Sequence, residues 1–475
     1  MAASKKTDQP KDLMWQRENG WNRIKAGDKR AMAAYCRDYL AFISECKTER
    51  EAHNRACMMA REAGYVDLEG VKTLKPGDRV LRSFRGKTLL LAQIGRKPLP
   101  DGLRILGGHV DAPRLDLKPN PVYEDSELVL LDTHYYGGIK KYQWVTLPLA
   151  LHGVAMLQNG TAVQIVIGED KEDPVFVVTD LLPHLGKDQA KKNMNEGIPG
   201  ENLNILFGSV PVKKKDVKEK VKQNILSKLY AEYGIKEEDF ASAELEVVPA
   251  GPGRDLGFDR SLMLSYAHDD RICAYAALRA ELDKAGVPDR TSVLLLCDKE
   301  EIGSVGATGM ESTFFENTVA EILSRTETSY NDLLLRRCLE KSQMISADVN
   351  AAHDPNYPDV SAPNNNMGQI NHGVMVTKYT GARGKSHASE ATAEFMSVIR
   401  RIFNDAGVAW QTGELGKVDQ GGGGTIAMFL ARYGMDVVDA GPAILSMHAP
   451  WEAAAKLDAY MTYKGYKAFL EHRHA

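Results

Sequence analysis

Between Leu294 and Gly309 the chain reads LLLCDKEEIGSVGATG, an apolar run that ends in two adjacent glutamates and a glycine-rich segment. A short run without polar alternation reads as a strand buried on both faces, so its sheet has to be covered by helices above and below. The end of the run adds a second constraint. An unpaired carboxylate taken out of water costs several kcal/mol, and the usual relief is a positive partner or a metal. Lys299 can pair with only one of the two glutamates, so the rest of the chain must bring further positive charge to this point.

Other stretches repeat the pattern. TLLLAQIG (88–95) and LRILGGHVDAP (103–113) are apolar runs ending in glycine, as buried strands of an α/β sheet do. Upstream, Gly27 to Gly64 is helical by period, with Met32, Tyr35, Tyr39, Ile43 and Cys46 recurring every three or four residues. From about Pro119 to Gly253 the character changes. AVQIVIG and PVFVVTD read as strands, a charged helix is expected over Val217 to Tyr233, and PAGPGRDLG reads as a linker. The alternation then resumes: the helix RICAYAALRAELDKAG leads to the strand SVLLLC, and TAEFMSVIRRIFNDAG leads on to TIAMFLARYG, the strand DVVDAG and a final helix near Glu452 to His472. The expected organisation is a discontinuous, parallel-rich α/β domain over 1–118 and 254–475, with a second domain inserted over 119–253.

With 475 residues, 43% of them hydrophobic, the chain can bury a large core and suits two domains better than one. A formal net charge of -4 provides no global basic field, which argues against nucleic acid or an anionic membrane as partner. The one basic run, VKKKDVKEKVK from Val212 to Lys222, is interleaved with acids at helical spacing and reads as a solvated helix face. Six cysteines are scattered without a C-x-x-C pair, as expected for reduced thiols in the cytoplasm. No signal-peptide core and no run of about 18 uncharged apolar residues is found.

Four further polar clusters lie at apparent strand ends or loops of the discontinuous domain. They are GGHVDAP with His109 and Asp111, YAHDDRI with His268, Asp269 and Asp270, ISADVNAAHDPNYPD with Asp348, and LSMHAPWE with His448. Open α/β sheets place their sites at the carboxyl ends of strands, where these clusters fall. Taken singly, each has an ordinary structural role as a satisfied histidine, a helix cap or a solvated loop. Together, two histidines and several carboxylates without cysteine make a donor set suited to Zn²⁺, Co²⁺ or Mn²⁺. Charge supports two ions: Asp269, Glu301, Asp348 and one hydroxide would neutralise two divalent cations.

GGHVDAPRLDLKPNP, AHDDRICAYAAL, CDKEEIGSVGATG, MISADVNAAHDPNYPD and ILSMHAPWE resemble, in order, the successive motifs of the M18 family of metalloaminopeptidases. The resemblance runs over most of the chain and is weaker in the inserted middle. It implies a three-layer α/β/α metallopeptidase domain with a mostly β inserted dimerisation domain. It also implies that His109, Asp269 and Asp348 hold one metal while Asp269, Glu301 and His448 hold the other, most simply Zn²⁺. Glu300 is then the catalytic base and Asp111 the group that orients His109. The implied reaction is removal of the N-terminal residue from peptides by a metal-activated water. The family's dimers assemble into a dodecamer, and a histidine from the inserted domain completes the neighbouring subunit's site. Its match here is His184 in LLPHLGKD, which also reads as a plain turn histidine. Lys378 in VMVTKYTG matches a family lysine near the substrate side chain. TGARGKSHASE departs from the pattern of the family's aspartyl aminopeptidases, which leaves the preferred N-terminal residue, acidic or other, open.

Two other functions compete with this one. GARGKS with GGGG at 421–424 suggests a phosphate loop and a nucleotide-using transferase, but Tyr379 stands where a P-loop requires glycine. A catalytically silent scaffold of the same fold is disfavoured because the implied ligands and base are all present.

Overall fold

The computed structural model describes residues 13–15, 17–213 and 216–473. A ten-stranded sheet forms its centre. In spatial order the main path runs Val66–Asp67, Arg79–Phe84, Thr88–Gln93, Ser292–Cys297, Arg104–His109, Gln343–Ser346, Asp436–Ile444, Val374–Thr377 and Trp410–Thr412, and Asn350–Ala351 adds to the Asp436–Ile444 strand.

The LLL run sits where its composition demands. Side chains alternate across a strand. Leu294 and Leu296, with Leu89 and Leu91, enter one core, and Val293 and Leu295, with Leu90 and Ala92, enter the other. Helices Ala26–Glu45, His268–Asp283, Ala393–Asp405 and Lys456–Glu471 cover the first face. Helices Phe314–Thr326, Asp332–Glu340 and Ala427–Ala431 cover the second. The result is the expected three-layer α/β/α domain. Each leucine so buried contributes about 1.5–3 kcal/mol, which commits the strand to the middle of the sheet.

Register then determines what meets at the sheet's edge. Ser292–Cys297 runs parallel to Arg104–His109 with Cys297 opposite His109. On the other side, Gln343–Ser346 is parallel with Ser346 opposite Gly107, and it also pairs in parallel with Asp436–Ile444. These strands therefore deliver their carboxyl ends, and the clusters beyond them, to one edge.

A seven-stranded antiparallel sheet forms a second unit, built from Arg114 to Pro249 with the helix Lys220–Tyr233. It has its own core, including Leu115, Leu131, Trp144, Leu151 and Val247. The expected start at residue 119 falls inside its strand Arg114–Asp125, which pairs with Leu128–Tyr136 on both sides of an irregularity between Leu117 and Val122. A third, small sheet pairs Leu262–Ser265 with Glu452–Ala455, Ser265 opposite Glu452. It brings the start of the His268–Asp283 helix beside the C-terminal segment.

Several element expectations change: the linker PAGPGRDLG carries the strand Arg254–Leu256, and PVFVVTD keeps only Val177–Val178 as strand. The single helical stretch over 27–64 is two helices, because Thr48 and Glu51 form a capping box that starts Glu49–Glu62. The helix expected from Glu452 begins at Lys456, since Glu452–Ala455 is drawn into the small sheet.

Candidate metal centre and active site

Three of the five clusters reach the sheet edge on a sharp turn. Ala267, Lys299 and His448 all lie in the left-handed region, with φ of 62°, 70° and 64°, a conformation that costs a non-glycine residue about 1–3 kcal/mol. Lys299 reverses the chain directly after the Ser292–Cys297 strand, so that Glu300–Ile302 forms one short 3₁₀ turn. Such strain persists only where the surroundings over-determine it.

Asp111 is the main determinant here. Its carboxylate is fully buried and accepts Glu300 N–H on Oδ1 and Glu301 N–H on Oδ2, each at 3.1 Å. Tyr136 Oη donates to Oδ2 at 2.8 Å, and His109 Nδ1 lies 3.3 Å from Oδ1. This carboxylate thus holds the backbone of both glutamates, while the Asp111 carbonyl accepts the His109 Nδ1 proton at 3.1 Å. Glu452 plays the matching part opposite. It is buried, and accepts Asp269 N–H at 3.0 Å and His448 N–H at 2.7 Å. His448 Nδ1 donates to the Gly138 carbonyl at 2.9 Å, which leaves Nε2 facing the site.

The functional atoms converge between these supports. Asp269 directs Oδ1 to His109 Nε2 at 3.4 Å and Oδ2 to His448 Nε2 at 3.3 Å. Glu301 Oε2 lies 3.5 Å from His448 Nε2. Asp348 Oδ1 and Glu300 Oε2 each lie 4.0 Å from His109 Nε2. Three overlapping groups among the described residues could each hold a metal ion: Asp269, Glu301 and His448; His109, Asp270 and Asp348; and His109, Glu300 and Glu301.

The electrostatics are those of an anionic site in search of a cation. Burial pushes Glu300 up to about 7. Burial and the adjacent Asp269 raise Glu301 well above the carboxylate range, and burial and Asp270 do the same for Asp348. Burial disfavours a charged His448, yet Asp269 and Glu301 carry it up to about 10. His109 is likewise raised well above its ordinary value, against its burial, by Asp111 and Asp269. Burial would raise Asp269 too, but hydrogen bonds from both histidines bring it below its usual value.

A metal fits this donor set. Ligands held about 2.0–2.1 Å from a tetrahedral ion stand roughly 3.3 Å from each other, close to the observed spacing of the Asp269–histidine and Glu301–His448 pairs. Glu301 Oε1 is buried without a hydrogen-bond partner, a lone pair that a cation would satisfy.

The model of the family described as aminopeptidase I zinc metalloprotease (M18) matches residues 42–470. The chain belongs to the M18 family of metalloaminopeptidases. It is therefore a hydrolase of the aminopeptidase class. A probable M18 family aminopeptidase 1 of Clostridium acetobutylicum is 51% identical over 465 residues, covering 97% of this chain and 99% of the relative. The crystal structure of an M18 aminopeptidase from Thermotoga maritima aligns with a TM-score of 0.92 at 43% identity, over 96% of this chain and all of that one. The dodecameric mApe1 of S. cerevisiae, at 20% identity and a TM-score of 0.76 over 93% of this chain and 97% of that one, shares the fold.

Within this M18 chain, His109, Asp111, Asp269, Glu300, Glu301, Asp348 and His448 come together, while His184 and Lys378 stand apart. Thr377 ends its strand with its hydroxyl on Asn350, which lines the site cavity, and Lys378 follows at a bend outside that cavity's lining. There it lies 3.7 Å from Glu390, in a depression shared with Met396, Arg400 and Trp410. His184 lies on an exposed segment of the second unit. GARGKS forms a tight turn bridged by Ala382 and Ser386, with Lys385 over the Tyr379 ring, and the next helix begins only at Ala393. That is not the strand–loop–helix of a phosphate loop.

Sequence reasoning passes over Tyr136, Gly138 and Glu452. The first two lie in the inserted region, outside the polar clusters, and carry no chemical signal of their own. Glu452 does fall within the MHAPWE stretch, but its task is to accept two backbone N–H groups, which leaves no pattern in the residues.

Proposed function

We propose that the chain is a two-metal aminopeptidase in which His109, Asp269 and Asp348 hold one divalent ion and Asp269, Glu301 and His448 hold the other. The observation that carries this reading is Asp269, with one carboxylate oxygen turned to each histidine. Zn²⁺ is the simplest occupant, and Co²⁺ or Mn²⁺ suits the same donors. Bound there, two divalent ions lower the pKa of water and polarise a substrate carbonyl. Glu300 accepts the proton of the attacking water and returns it to the amide nitrogen as that group leaves. Asp111 keeps Glu300 and His109 in mutual register throughout, through the backbone and the ring.

A cavity of about 610 Å³ adjoins the carboxylates, with Val349, Leu415, Met428, Phe429 and Met447 in its wall. None of its described lining residues is a lysine or arginine. An apolar N-terminal side chain suits this wall, and the peptide's free α-amine suits the surplus of carboxylates. We infer also a homo-oligomer built from dimers, up to a dodecamer, in which His184 serves the neighbouring subunit's site. Leu181, Leu182 and Leu185 beside it are 54%, 50% and 69% exposed, an apolar surface fit for a second copy. No described helix is long and apolar enough to cross a membrane, and a cytoplasmic setting agrees with the buried free thiols.

Hydrolysis of a panel of aminoacyl chromogenic substrates, with Zn²⁺, Co²⁺ or Mn²⁺ returned to the apoenzyme, tests the reading. Leucyl and methionyl substrates should exceed aspartyl ones by tenfold or more, on the order of one or two well-buried methylenes. Turnover without added metal, or a preference for aspartate, would contradict it.

A further inference from the structure

The strand Leu128–Tyr136 belongs to the second unit's sheet, yet its last residue reaches the metal centre. Tyr136 Oη donates to the Asp111 oxygen that also accepts Glu301 N–H. The ring is 8% exposed and the Arg114 guanidinium lies 3.9 Å from its centroid. Arg114 is itself held by Glu246 at 3.1 Å and Glu49 at 3.4 Å, so the tyrosine is clamped from behind by buried charge. The next residue, Gly137, has φ 74° and lies against Glu301: a Cβ there would stand 3.4 Å from Glu301 Cβ. Gly138 then accepts the His448 Nδ1 hydrogen bond at 2.9 Å. Three consecutive residues of the inserted region thus meet Asp111, Glu301 and His448 in turn.

We propose that Tyr136–Gly138 is a positioning element through which the inserted unit of the same chain holds both halves of the metal centre. This rests on the two-metal reading above. The chemistry differs at its two ends. The Gly138 carbonyl keeps the His448 proton on Nδ1, so the Nε2 lone pair is free to point at a cation. Tyr136 supplies the Asp111 carboxylate with its one side-chain hydroxyl donor. Without it the carboxylate is freer to rotate, and the Glu300 and Glu301 backbones that it anchors, with the His109 ring 3.3 Å from it, lose their common reference. The inserted unit is then needed for metal binding within a single subunit, apart from any role between subunits.

Two substitutions in the full-length chain separate the ends. Tyr136→Phe keeps the ring beneath Arg114 and removes only the hydroxyl. Gly138→Ala places a Cβ 3.2 Å from His448 Nδ1, so the ring must shift by a few tenths of an ångström. Each variant is stripped by chelation, checked for its apo melting temperature, and titrated with Co²⁺ while its visible absorption reports ligand geometry. Both variants should melt like the wild-type apoprotein, show altered Co²⁺ bands, and bind at least one ion roughly tenfold more weakly, the lower end of the effect of removing such support. In steady state kcat should fall with KM little changed. Wild-type affinity and bands in both variants would overturn the proposal while leaving the two-metal reading intact. A wild-type chain that takes up no Co²⁺ would overturn both. If Tyr136→Phe does not fold, Gly138→Ala alone decides: altered bands support the proposal, and wild-type bands overturn it.

Discussion

Glu300 and Glu301 are neighbours with the same side chain, and the structure assigns them different surroundings, so replacing each by glutamine should have different consequences. Glu300 is held by its backbone, through N–H to Asp111 Oδ1 at 3.1 Å, and Glu300→Gln leaves that anchor untouched. Its carboxylate is the more distant from a histidine, at 4.0 Å from His109 Nε2. The variant should retain both metals and lose the proton acceptor. General acid–base catalysis contributes about 10²- to 10⁴-fold, so kcat should fall by that factor, equivalent to roughly 2.7–5.5 kcal/mol in the barrier. Glu301 Oε2 instead stands 3.5 Å from His448 Nε2, on a side chain only 4% exposed. Glu301→Gln should weaken one ion, and excess Zn²⁺ or Co²⁺ should restore part of its activity. The pH profile gives an independent check. A protonated Glu300 cannot accept a proton, so activity is present above its pKa and lost as pH falls through it. Burial, with Asp269 and Asp111 nearby and against the two histidines, pushes that group up to about 7, and bound cations draw it lower, so the acid limb of kcat/KM should fall below pH 7 and vanish in Glu300→Gln. Metal content measured beside metal-titrated kinetics decides the matter. Rescue of the Glu300 variant by metal, with none for the Glu301 variant, would exchange the two roles.

Metal uptake by the apoprotein at pH 7 should release protons, because His448, raised to about 10, and His109, also raised, must give up theirs before they can bind a cation. Affinity should accordingly rise with pH, and calorimetry in buffers of different ionisation enthalpy should give a non-zero proton count; a count of zero would refute the charge state drawn for the site. His184→Ala should reduce kcat/KM by roughly tenfold or more, the range for a lost catalytic donor, with metal content unchanged. Light scattering should show dimers or their multiples, and a fully active monomer would contradict a site completed across subunits.

Much of the centre is legible in the sequence because buried parallel strands leave uninterrupted apolar runs, and chemistry begins where the runs stop. His109, Glu300, Glu301 and Asp348 are found that way. Asp111 is visible as a group beside His109, but its hold on the backbone of Glu300 and Glu301 depends on the register of Cys297 opposite His109, which no local pattern encodes. Glu452 and Gly138 act through backbone groups, and Tyr136 acts from a strand of another sheet, so residue type says nothing of their task. Lys378 shows the converse: its motif is local, and the bend after Thr377 sets it in a different depression from the site cavity. The break at Thr48 is present as a T-x-x-E capping box, masked by an apolar period that continues across it. The start of the second sheet is hidden because its strand Arg114–Asp125 begins only five residues after His109, with no turn signal between them.

The central claim is that one carboxylate, Asp269, joins two metal sites. Elemental analysis of the purified chain after dialysis against limiting Zn²⁺, run beside Asp269→Ala, tests it most directly. Two ions per chain in the wild type and none in the variant are the predicted result; two ions retained in the variant would contradict it.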